Sequence, residues 1–167
     1  MENLTAKQLK SLKVLNPHLN DDDFEIKTLK ETLDVLSCDR VNIWLFNNDY
    51  SSLTCKACLC IQNGLLKQDD LAEEEIPLYF KFLRRNSILI SNNALNQLVN
   101  HELLEQYIIP FGIKSMIDVP LRNDKGEMIG VVCFEHTKAY HTWDTMEVNY
   151  TKEIAHKLSE YFENQLK

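Results

Sequence analysis

The sequence predicts an α+β domain, an antiparallel sheet with helices from both ends of the chain lying on it. Three observations lead there. Apolar residues recur at helical spacing before residue 37 and after residue 143, and alternate with period two in between. The order reads helix, hairpin, helices, hairpin, helix. The strands are apolar on both faces, so two layers must cover the sheet. The terminal helices fill one. Residues 64–113, mostly non-strand, must close the other, and a long segment of that kind over a sheet is where a ligand cavity is usually found.

Each element has its own signal. Thr5 with Gln8 three positions on has the form of a capping box, and Leu9, Leu12 and Leu15 follow in a short helix that ends before Pro17. Asp21, Asp22 and Asp23 suit a helix N-terminus and read as a cap, not a metal site. A helix over 23–36 carries Ile26, Leu29, Leu33 and Leu36 on one face. Val41, Ile43 and Leu45 then alternate with Asn42, Trp44 and Phe46 in a central strand. Asn47, Asn48 and Asp49 turn the chain into a second strand over 53–61. Asn63-Gly64 is the next turn. Pro77 opens a helix over 77–85. Residues 88–90 form a short buried strand, 92–99 are irregular, and 101–109 form a helix stopped by Pro110 and Gly112. Strands over 115–121 and 128–136 flank the turn Asn123-Asp124-Lys125-Gly126. The closing helix, 143–165, is capped by Thr142 or Asp144. It carries two stripes: Met146, Tyr150, Ile154, Leu158 and Tyr161, then Val148, Ala155 and Phe162. One stripe suffices to dock on a sheet, and two imply that the helix also meets another helix. Residues 1–22 form an N-terminal helical extension and 23–167 the main domain.

Composition excludes several classes of function. The 167 residues (19.5 kDa) hold 18 basic against 25 acidic side chains, a net charge of -7. Affinity for phosphate backbones comes mainly from Lys and Arg, so this balance argues against nucleic acid. The densest basic stretch, Lys81, Arg84 and Arg85, is interrupted by Phe82 and Leu83. No apolar run approaches the ~18 residues needed to span a bilayer, and residues 1–15 lack the pattern of a signal peptide. A cytoplasmic location is expected.

Five cysteines without a secretory signal do not suggest a disulfide framework. Cys55-x-x-Cys58 invites a zinc reading, but a second ligand pair is missing. Its only candidates, Cys133 and His136, fall on opposite faces of one strand. Cys55, Cys58, Cys60 and Cys133 read as buried strand thiols, and no metal is expected.

Three motifs, in order, carry a family resemblance: GIKSMIDVPL (112–121), GEMIGVVCFEHT (126–137), and Trp143 with the closing helix. Over residues 24–166 the chain resembles a GAF domain, most of all those of bacterial sensor histidine kinases and diguanylate cyclases. The resemblance implies a six-stranded antiparallel sheet of the profilin/PAS-like kind. Terminal helices would lie on one face and a ligand pocket, covered by helices and loops, on the other. It names no ligand or cofactor, because one fold hosts many functions. Cyclic-nucleotide GAF domains carry an Asn-Lys pair where this chain has Glu135-His136-Thr137. Bilin-binding relatives attach chromophore through a Cys in the helical middle, and no Cys lies between 61 and 132. Methionine-sulfoxide-reducing GAF enzymes also place Cys there.

Alternation puts Met116 and Asp118 on one face of their strand, the face that the resemblance turns toward the pocket. An Asp amid apolar residues needs a partner: a ligand it accepts hydrogen bonds from, or backbone amides of the covering loop. Glu135 and His136 end the neighbouring strand with at most one pointing inward, and His136 shares its face with Phe134. Trp44, Phe46 and Tyr79 could line the cavity or belong to the core. The candidate ligand set is therefore Trp44, Phe46, Tyr79, Met116, Asp118, Phe134 and His136. Catalytic residues are not expected, since Ser115 faces away from Asp118 and no nucleophile elbow exists. The chain reads as a regulatory sensor domain that binds a small molecule, forms a homodimer through its terminal helices, or both, and controls a linked or partner output domain. The other reading is a small redox enzyme using Cys55, Cys58 or Cys60.

Overall fold

The computed structural model describes residues 3–18 and 23–165. Its helices are α1 (Ala6–Val14), α2 (Phe24–Leu36), α3 (Pro77–Arg85) and α4 (Thr145–Gln165). Its strands are β1 (Arg40–Phe46), β2 (Ser52–Cys60), β3 (Gly64–Leu66), β4 (Leu71–Ala72), β5 (Leu89–Ser91), β6 (Ser115–Arg122) and β7 (Met128–His136). Among the described residues no helix is long and apolar enough to cross a membrane.

Local chemistry sets the helix ends. The Thr5 hydroxyl accepts from the Gln8 amide at 3.0 Å and the Gln8 side chain accepts from the Thr5 amide at 2.9 Å, a complete capping box on α1. Asp21 and Asp22 lie outside the described residues, and Asp23 occupies the N-cap of α2. Of the two candidate caps for α4, the chain uses Asp144. Its carboxylate accepts from the Glu147 amide at 2.7 Å while Glu147 accepts from the Asp144 amide at 2.9 Å. At α3 the cap comes from afar: Glu102 Oε1 accepts from the amides of Leu78 (2.8 Å) and Tyr79 (3.2 Å), tying the helix to the segment below it.

The strands order as β3-β2-β1-β7-β6-β5, every pair antiparallel. β4 also pairs with β2, at the end that β3 leaves free, so the sheet is six positions wide. β3 and β4, of three and two residues, are too short to show a period in sequence. β1 is central, as its two apolar faces require. Between Ile43 and Trp44 the register with β2 slips by one residue, because β2 bulges at Lys56. The bulge turns Cys55 and Cys58, three apart, to the same side of the sheet.

Each face has its own core. α1, α2 and α4 cover one with Leu12, Phe24, Leu29, Tyr150, Ile154 and Leu158 over Val41, Ile43, Ile117 and Phe134. α1 belongs to this core: its Ser11 hydroxyl meets the Tyr150 hydroxyl at 2.8 Å. Both stripes of α4 are used within the chain. Ala155 and Phe162 are buried in the same core as Ile154 and Leu158, and only Met146 of the first stripe is exposed. Tyr150 and Tyr161 of the first stripe meet Ser11 of α1 and Phe24 of α2, so burial of the second stripe in the same core does not by itself call for a second copy.

α3 and the segment after it cover the other face, with Phe80, Leu83, Leu103 and Ile108 over Trp44, Met116 and Val131. The helix expected over 101–109 is not regular. Leu98–Leu103 winds as a 3₁₀ turn and Leu104–Ile108 as a wide π turn. The mixed winding lets Leu103, Tyr107 and Ile108 all reach the sheet, at the expense of regular α hydrogen bonding.

Candidate functional site

A buried polar array occupies the middle of this second face. Arg40, Asn42 and Trp44 alternate along β1 and point to the same side. The register sets Arg40 opposite Glu135 and Asn42 opposite Cys133, and on β6 it sets Met116 opposite Glu135 and Asp118 opposite Cys133. Cross-strand neighbours share a face, so these seven strand residues of different chemistry converge.

Glu135 is the hub. Its Oε1 accepts from Arg40 Nε at 2.9 Å and from Asn42 Nδ2 at 3.1 Å, and its Oε2 accepts from the Tyr107 hydroxyl at 2.7 Å. Asn42 Oδ1 accepts from Trp44 Nε1 at 2.6 Å. Arg40 Nη2 donates to Gln68 Oε1 at 3.0 Å, and the guanidinium carbon lies 4.4 Å from the Phe111 ring centre. Burial lowers the Arg40 pKa, but the Glu135 carboxylate beside it more than offsets that and the net direction is up. The Tyr107 phenol is pushed well up by burial and by Glu135. Arg40 and Glu135 thus form a buried ion pair beneath the Tyr107 phenol.

Asp118 forms the second group. Its Oδ2 accepts from the Tyr79 hydroxyl at 2.8 Å, and its Oδ1 is buried with no hydrogen bond of normal geometry. The Cys133 thiol beside it is only a weak donor. Burial raises the carboxyl pKa to about 7, against the lowering effect of the Tyr79 hydrogen bond. An acid whose folded pKa exceeds its unfolded value, about 3.9, loses stability as pH rises between the two. The unfolded chain releases its proton there while the folded chain keeps it. Relative to Asp118→Asn, the protein is expected to lose roughly 1.4 kcal/mol per pH unit between about pH 4 and 7. Urea unfolding of both at several pH values checks this, and a flat difference overturns it.

A cavity remains between the two groups, about 10 Å³ for the centre of a water-sized sphere. It is lined by Trp44, Tyr79, Leu103, Tyr107, Met116, Asp118, Cys133 and Glu135, among others. Of the seven candidate residues, Trp44, Tyr79, Met116 and Asp118 meet here. Phe46 belongs to the same face but stacks at its margin on Phe80, ring centres 5.6 Å apart. Phe134 and His136 do not join them. Phe134 is buried in the helix-side core. His136 stacks with His141 and Trp143, at 4.5 and 5.0 Å. Strand alternation is the reason: β6 presents Asp118 to the cavity opposite Cys133, so the residues on either side of Cys133 along β7 that face the cavity are Val131 and Glu135. The sequence reading took His136 and not Glu135 into the candidate set, and the register places Glu135 at the cavity instead. Arg40 and Asn42 could have been found by following β1 two residues at a time from Trp44. Tyr107 carried no sequence signal, because its position depends on the π turn.

A larger cleft of about 360 Å³ opens elsewhere, between the end of α4 and the β1–β2 turn, with Glu25, Tyr50, Lys56 and Phe162 in its walls. Its lining holds no buried side-chain atom lacking a partner, which favours the small cavity as the functional site despite its size.

The thiols are poor nucleophiles. All five cysteines are free and buried. Burial pushes the Cys55 thiol up and the Cys58 thiol up to about 12, so neither is a thiolate at neutral pH. Iodoacetamide at pH 7.5 is expected to leave all five unlabelled in the folded protein and to label all five in denaturant, read by intact mass. Rapid native labelling of Cys55 or Cys58 would contradict this. Among the described residues no group of three or more His, Cys, Asp or Glu side chains could hold a metal ion.

A family model described as GAF domain matches residues 26–161. The chain is similar in fold to the GAF domain of an Acinetobacter phosphoenolpyruvate-protein phosphotransferase, with 16% identity, 98% of this chain and 97% of that one covered, and a TM-score of 0.71. It is also similar to the blue-light absorbing form of the Thermosynechococcus elongatus PixJ GAF domain (16% identity, 97% and 92% covered, TM-score 0.67). A third similar structure is a domain of a two-component sensor histidine kinase protein from Sinorhizobium meliloti (19% identity, 89% and 95% covered, TM-score 0.65). A comparison with curated protein sequences gives no match.

Proposed function

The chain belongs to the GAF domain family, and we propose on that premise that it is a non-enzymatic sensory domain. It binds a small molecule on the face of the sheet opposite the terminal helices and thereby controls a linked or partner output domain, of the histidine kinase or diguanylate cyclase type. One observation carries the reading: a buried array of Arg40, Asn42, Glu135 and Asp118 lies under a covering segment that is neither strand nor regular helix. A protein that needed only a core there would fill it with apolar residues, since buried ions add little net stability.

The sheet supplies a short route to the helices. Asp118 faces the cavity while its neighbours on β6, Ile117 and Val119, are buried in the core with α4. The Arg122 amide donates to Ser159 of α4 at 3.0 Å. A ligand that moved β6 would bear directly on α4, provided it favours one arrangement over the other. A homodimer through the terminal helices is part of the proposal, and sedimentation at high concentration tests it; a monomer removes that part. Native mass spectrometry of the freshly purified protein tests ligand binding. A co-purifying mass that is lost on denaturation supports the reading, and its displacement should alter hydrogen exchange in α4. Exchange in α4 that never responds to an occupied pocket overturns the sensory role.

A further inference from the structure

We propose that Asp118 Oδ1 is the anchoring acceptor of this pocket and that its ligand is a small nitrogenous hydrogen-bond donor, cationic or with a donor edge, such as an amine, an amidine or an amino-heterocycle. The proposal rests on the ligand-binding reading above and narrows it to a chemical class.

A count of donors and acceptors leads to it. The N–H and O–H groups nearest the cavity are committed: Trp44 Nε1 to Asn42, Asn42 Nδ2 and Tyr107 to Glu135, Tyr79 to Asp118 Oδ2. Arg40 is spent on Glu135 and Gln68. Acceptor capacity remains, chiefly Asp118 Oδ1, buried and facing the cavity. With Asp118 ionised, above the pH of about 7 at which it titrates, a ligand that only accepts finds no free N–H or O–H and meets two carboxylates beside a single guanidinium.

The walls fit the same class. Trp44, Tyr79 and Tyr107 present aromatic surface, which attracts cations through the ring quadrupole. A cation held at Asp118 would keep it ionised, offsetting the burial that raises its pKa to about 7. The cavity admits little more than one water as it stands, so a ligand must displace part of the wall. Leu103 is the part suited to this: its side chain makes no hydrogen bond, and its 3₁₀ turn meets the following π turn at Leu104 in an irregular stretch whose Leu98 and Ile109 are exposed.

The test uses three probes of one shape: benzamidine, which only donates; benzoate, which only accepts; and benzamide, which does both. Binding is followed by the indole N–H resonances. Trp44 borders the cavity and Trp143 lies in the opposite core, so one reports and the other serves as control. At pH 8.5, where Asp118 is ionised, benzamidine is expected to shift Trp44 and not Trp143, and benzoate to shift neither up to about 10 mM. Asp118→Asn is expected to weaken benzamidine by about tenfold or more. Tyr79→Phe, which frees Oδ2, should bind it at least as well as the unaltered protein. Should benzoate move Trp44 as readily as benzamidine, or should Asp118→Asn bind benzamidine unchanged, the donor proposal falls while the sensory reading stands. If no probe and no co-purifying molecule ever perturbs Trp44, both fall.

Discussion

Glu135→Ala is expected to lower the unfolding free energy by about 3–5 kcal/mol, about a fifth or more of the stability of a typical domain. The carboxylate is fully buried and accepts from three donors, Arg40, Asn42 and Tyr107. Removing it leaves a buried guanidinium without its counter-charge. The Tyr107 hydroxyl can turn to Asn42 Oδ1, 3.2 Å away. Among the described residues, Arg40 then keeps Gln68 and the face of Phe111. The cost is that of the orphaned charge, not the net worth of the pair. The double variant Arg40→Met with Glu135→Leu should therefore recover most of the loss. Urea unfolding with an unchanged m-value measures both. A loss below about 1 kcal/mol for Glu135→Ala, or a double variant no better than the single, would mean that water reaches this bridge and that the face is not sealed.

Gly130→Ala should be comparably damaging for a different reason. Gly130 sits in β7 opposite Leu45 of β1 and Leu121 of β6. A Cβ there would press on the Trp44 carbonyl oxygen and on the Leu45 side chain, 2.9 Å from its Cδ2. The first of these is backbone in the central strand and cannot swing aside, so β1 and β7 must part. A cost of about 3 kcal/mol or more follows, at the upper end of overpacking. Because Trp44 borders the cavity and Asn42–Glu135 spans the same two strands, the indole resonance of Trp44 should shift as well. Gly64→Ala is the control. Its positive φ of 76° strains an alanine, but nothing lies within 4 Å of the added atom, and about 1 kcal/mol is expected. Equal losses at the two positions would contradict the steric account.

How much of this was legible beforehand depends on how far each signal reaches along the chain. Capping at Thr5 and at Asp144, the bounds of α3, and the hairpin of β6 and β7 are set by residues a few positions apart. Those came through to within a residue or two. β3 and β4 are too short for a period. The helix expected over 101–109 failed because local propensity favours α while the need to bring Leu103, Tyr107 and Ile108 onto one surface favours mixed winding. The bulge at Lys56 is a decision of the same kind, since counting by twos from Cys55 puts Cys58 on the wrong face.

By itself the sequence determined the fold class, the two hairpins and an unusual Asp118 on an apolar strand, because periodicity, capping and turn chemistry act between near neighbours, while the family came from the resemblance of three motifs. Only the tertiary structure decided which polar groups meet. Arg40 reaches Glu135 across 95 positions, Tyr79 reaches Asp118 across 39, and Phe134 and His136 turn away from both. Strand register makes those choices, and register is fixed by burying one whole face at a time, a cooperative property that no short window of sequence contains.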